Sequence, residues 1–96
     1  MNKHILFVMR NLDNPELFTQ EEKEVNRKSA NTAYVAAYAG AAYAAYDAAD
    51  AAAYDAAYAA AAYAAYDAAA EHWVGKFFNK TGEDKQTYID EVKRLR

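Results

Sequence analysis

The chain has 96 residues, a formal net charge of −3 and no cysteine. That length suits one small domain or one elongated unit. The lack of Cys excludes a disulfide frame and a Cys-based zinc site, and the mildly acidic balance argues against nucleic acid or an anionic membrane as the main partner.

The hydrophobic fraction is 54%, yet mean hydropathy is −0.44, because Ala and Tyr supply most of that fraction. Between Val35 and Trp73 there is no Leu, Ile, Val, Met, Phe or Trp. The Ala/Tyr block is long enough to cross a bilayer, but Asp47, Asp50, Asp55 and Asp67 interrupt it, so a soluble chain is expected. The apolar run Ile5 to Met9 is too short and poorly flanked for a secretion signal.

In chain order, Ile5, Val8 or Met9, and Leu12 fall at helical spacing, which favours a short helix, although the continuous run also fits a buried strand. Asp13-Asn14-Pro15 ends it, since Pro excludes a continuing helix and biases Asn14 toward extended geometry. Thr19-Gln20-Glu21-Glu22 then reads as a capping box, with Thr19 as N-cap, Glu22 at N3 and Phe18 placed as a hydrophobic staple.

No equally strong stop follows until Asn79-Lys80-Thr81-Gly82. A mid-helix Gly costs only about 1 kcal/mol relative to Ala. Gly40 is therefore read as a helical position, with a hairpin turning there as the alternative. The spacing predicts a single helix over about 20–78, of order 85–90 Å long. A second capping pattern, Thr81 to Asp84, predicts a last helix with the apolar stripe Tyr88, Ile89, Val92 and Leu95. The expected fold is all-α. Residues 1–18 give an N-terminal apolar helix and turn, 19–79 the long helix, and 80–96 a C-terminal helix, assembled into a helical bundle or other homo-oligomer.

The middle is a repeat. Ala33–Ala49 and Ala53–Ala69 agree at 15 of 17 positions, differing only at Val35/Asp55 and Gly40/Ala60. A shift of 20 residues rotates a helix by about 200° past whole turns. On one straight helix Tyr34, Tyr38, Tyr63 and Tyr66 would cluster on one side and Tyr43, Tyr54 and Tyr58 on the other, with Tyr46 between. That pattern excludes a heptad seam and predicts a nearly straight helix buried on more than one side. Eight Tyr rings at roughly 150–250 Å² each are too much apolar surface for a soluble monomer. These eight residues are the expected self-association set. Trp73, Phe77, Phe78, Ile89 and Val92 are the expected end cluster, packed across the Thr81-Gly82 turn.

Reaction chemistry is sparse. Ser29 has no His near it in sequence, and His4 and His72 are the only imidazoles. The four Asp do not converge on one helix and are read as solubilising groups or partners of Tyr hydroxyls. No cofactor or metal is expected. Tyr rings can stack bases, but Ala30 to Glu71 contains no Lys or Arg, which disfavours nucleic acid.

The ends carry a resemblance. Met1 to Arg27 (MNKHILFVMRNLDNPELFTQEEKEVNR) and His72 to Leu95 (HWVGKFFNKTGEDKQTYIDEVKRL), flanking an Ala/Tyr block, are similar to a group of small accessory proteins of tailed bacteriophages. The resemblance implies expression in the cytoplasm of an infected bacterium and a role against the host. It transfers no site residue. The expected function is non-enzymatic: a self-assembling helical interaction protein that binds or sequesters a host component. The alternatives are a nucleotide-like ligand binder with Tyr-lined pockets between subunits, and a structural filament subunit.

Overall fold

The structure, a computed structural model, describes residues 1–40, 48–61 and 67–96. These residues form five helices: α1 Lys3–Asp13, α2 Gln20–Gly40, α3 Ala48–Ala61, α4 Asp67–Thr81 and α5 Lys85–Arg94. The all-α expectation holds for them, and the N-terminal segment is helix rather than strand.

Local signals explain the boundaries. The Asn2 carboxamide oxygen accepts from the His4 and Ile5 N–H groups at 2.9 and 3.2 Å and starts α1. Asn14, held extended ahead of Pro15, ends it. At α2 the capping box forms: Thr19 N–H donates to Glu22 Oε1 at 2.9 Å, and Glu22 N–H donates to Thr19 Oγ1 at 3.1 Å. Phe18, however, is not a staple within its own helix. It stacks on Phe7 of α1, 3.9 Å between centroids, and the Arg10 guanidinium sits 5.3 Å from its ring. This aromatic clasp fixes α1 against the start of α2.

The second capping pattern shifts by three residues. Gly82 adopts φ +69 and its N–H closes on the Phe78 carbonyl at 2.9 Å, capping the end of α4. Thr81 belongs to that end, its hydroxyl donating to the Phe77 carbonyl. Asp84 then becomes the N-cap of α5, accepting from Gln86 N–H at 3.0 Å.

The single helix over about 20–78 does not form. The Gln20 side-chain amide donates to the Ala61 carbonyl, and the Tyr34 and Tyr54 rings stack 5.9 Å apart. On one straight helix those pairs would be about 60 and 30 Å apart. The molecule measures only 39 × 27 × 21 Å. Contacts that run from the start of α2 to the end of α3, and from late in α2 to the middle of α3, make the two helices antiparallel. α2 ends at Gly40, where the hairpin alternative placed its turn; residues 41–47 lie outside the description. The physical reason is burial. A lone helix would leave the Ala/Tyr faces in water, whereas folding back removes them from it without a second chain.

α3 is the centre. It packs on α1, α2 and α4, and Ala52, Ala53, Ala56, Ala57, Ala59 and Ala60 are buried along it. Ala lets backbones approach closely on several sides at once, so a helix with almost no large aliphatic residue serves as a core. The larger residues of the core cluster come from other helices: Ile5 and Val8 of α1, Val74 and Phe77 of α4, and, beyond them, Tyr88 of α5. No helix among the described residues is long and apolar enough to cross a membrane.

Candidate interaction surfaces

Three places on this scaffold bring chemistry-bearing side chains together. The first is an aromatic ladder across α2 and α3. Tyr34 stacks on Tyr54 with an interplanar angle of 16°, and Tyr54 meets Tyr58 edge to face at 6.2 Å. Arg27 braces it, donating from Nε to Glu24 at 2.8 Å, and Glu24 first, with the nearby Tyr54, favours its charged form. Tyr34 and Tyr54 are half-buried, while Tyr58 is 56% exposed. Beside it on α3, Asp55 is half-buried, and burial pushes its carboxyl above the usual range. The set expected to self-associate thus divides. Tyr34 and Tyr54 pack within the chain, and Tyr58 ends the ladder at the surface. Tyr38 lies on α2 with its side chain outside the description, as Tyr43, Tyr46, Tyr63 and Tyr66 are entirely.

The second place is the end cluster. Phe77 and Phe78 pack edge to face on Tyr88 at 6.1 and 4.8 Å. Trp73 is half-buried against His72, ring centroids 5.2 Å apart. Tyr88 is the hub, a part the sequence stripe did not give it. Its hydroxyl accepts the Asn2 N–H and donates to Glu83, both at 2.7 Å. Burial, chiefly, pushes its phenol up to about 12. Ile89 and Val92 do not close on α4. With Val74 they line a groove of about 530 Å³ between α4 and α5, floored by Met9 and Leu12 of α1.

The third place was not legible in the sequence. The α1–α2 turn brings His4 to Ser29, Nε2 to Oγ 2.9 Å, although 25 residues separate them. His4 is buried, and burial followed by the Lys3 charge lowers its pKa, favouring the neutral ring. A neutral His bonded to a Ser hydroxyl is the start of a nucleophile–base pair. Among the described residues no carboxylate bonds its other ring nitrogen, so the third member of a triad is missing. We read the pair as a polar tie between α1 and α2. Buried Asn26, one helical turn from Ser29, has an unpartnered amide nitrogen.

No group of three or more His, Asp or Glu placed to hold a metal exists among the described residues. Asp47 and the side chains of Asp50 and Asp67 fall outside them. No family model, curated protein or solved structure matches the chain.

Proposed function

We propose that this is a non-enzymatic helical interaction protein that associates with copies of itself through the outer face of the α2–α3 pair. The observation that carries the reading is Tyr58, a large ring 56% exposed on a helix most of whose described side chains are buried. Val35, 53% exposed on α2, adds a second apolar contact. An exposed Tyr contributes a large contact area at low entropic cost and keeps its hydroxyl for a partner.

Folding back half-buries Tyr34 and Tyr54 and buries most of the described Ala side chains of α3. The expected contact is therefore small and reversible, closer to a transient interface than to an obligate one. The resemblance of the two ends supports a role as a phage accessory factor in the host cytoplasm, binding or sequestering a host component. The filament alternative rested on a near-straight long helix and loses its basis. A nucleotide-like ligand gains no support either, since the cation at the ladder, Arg27, is paired with Glu24.

Sedimentation velocity across a concentration series tests the proposal. A Val35→Glu/Tyr58→Glu variant reports whether this face makes the contact.

A further inference from the structure

α4 and α5 leave a slot between them, and we infer that it receives an amphipathic helix of a partner protein, one that carries carboxylates along the flank facing α5. This rests on reading the chain as an interaction protein, but uses a surface separate from the α2–α3 face.

The slot follows from how the two helices are seated. Gly82, at φ +69, turns the chain, and Phe77, Phe78 and Tyr88 fill the corner beside that turn. Beyond the corner both helices rest on α1 and hardly on each other. Val74 of α4 and Ile89 and Val92 of α5 face a common space of about 530 Å³ instead of interlocking. On α5, Lys85, Ile89 and Val92 follow at i, i+4 and i+7, a stripe about 10 Å long, with Arg96 just past the helix end. A helix lying in a groove places its anchors over that length, at i, i+3 or i+4, and i+7.

Charge selects the flank. Lys85 and Lys93 stand on the α5 rim, and no carboxylate among the described residues pairs with either. Arg96 is held by Asp13 at 2.5 Å across the α1–α5 end of the slot. Glu71 stands on the opposite rim, on α4. An occupant with acid toward α5, and neutral or basic residues toward Glu71, meets both rims. A polyanion without an apolar face would leave the half-buried Met9, Leu12 and Ile89 of the slot uncovered and would face Glu71.

Two fluorescein-labelled helical peptides of about 18 residues test this by anisotropy against the full chain. They share one apolar stripe and carry either Glu or Lys along one flank. The Glu peptide is expected to bind in the micromolar range and the Lys peptide at least about tenfold more weakly. Lys85→Glu/Lys93→Glu, both on exposed positions, should invert that preference with helical circular dichroism unchanged. Amide shifts should concentrate at Val74, Ile89 and Val92. Equal affinities, no binding, or shifts confined to Val35 and Tyr58 overturn the inference. So does loss of self-association in Lys85→Glu/Lys93→Glu, which would give the slot to a second copy. Failure of the self-association reading has a separate readout, the native mass without peptide.

Discussion

Tyr34 and Tyr54 occupy the same position in the two copies of the repeat, and their rings stack 5.9 Å apart across the α2–α3 interface. The repeat packs against itself within one chain. A stacked aromatic pair is worth about 0.5–1.5 kcal/mol beyond its buried area. A double-mutant cycle with Tyr34→Ala and Tyr54→Ala, read by urea denaturation, should return a coupling of about that size. Additive single effects would mean the two copies are not in contact.

That pairing shows what the sequence could reveal and what it could not. The capping box at Thr19, the stop at Pro15 and the helical stripe of α5 were legible because each is set by neighbours within one or two turns. The reversal between α2 and α3 was not. Ala gives strong helix propensity on either side of Gly40, so nothing local distinguishes a hairpin from a rod. What decides is the burial of Ala52, Ala56 and Ala60 against three other helices, which is a tertiary effect. The shift of the α5 cap from Thr81 to Asp84 has a similar origin. Gly82 served α4 first, and the next good acceptor took the N-cap. At the candidate surfaces, the sequence named Tyr58 and the Phe77 cluster by residue type alone. The His4–Ser29 bond and the α4–α5 slot depend on helices meeting, so they carried no sequence signal.

Tyr88 ties the chain start to α5. Tyr88→Phe keeps the ring packing on Phe77 and Phe78 but leaves the Asn2 N–H and Glu83 without their partner. Lost hydrogen bonds of this kind cost about 1–3 kcal/mol. The expected outcome is a lower denaturation midpoint with unchanged slope. Hydrogen exchange at the amides of α1's first turn should also quicken. A variant as stable as the parent, with protected α1 amides, would contradict the tie.

His4 should make stability fall in mild acid. In the unfolded chain the ring titrates near 6.5, and in the fold it titrates lower, through burial first and Lys3 second. Between the two values the unfolded chain binds the extra proton. His4 therefore costs nothing above the unfolded value, lowers stability as pH falls below 6.5, and adds no further loss below its folded value. Lys3, Glu21, Glu22 and Ser29 line the same crevice, so the slope also reflects their charges. The carboxyls of Asp13 and Glu91, held down by hydrogen bonds from Arg96 and Arg94, act in a lower window, below their ordinary values of 3.8 and 4.5. Denaturation midpoints measured from pH 7.5 to 5 should decline for the parent and flatten for His4→Asn. An identical decline in both would remove His4 from the explanation.

On the reading proposed above, the open end of the tyrosine ladder makes contact between copies of the chain. Sedimentation velocity of the parent beside Val35→Glu/Tyr58→Glu tests it most directly. The mass of the parent should rise with concentration above the 10.7 kDa of one chain, and that of the variant should stay at it. A parent that sediments as a 10.7 kDa monomer at every concentration would contradict it.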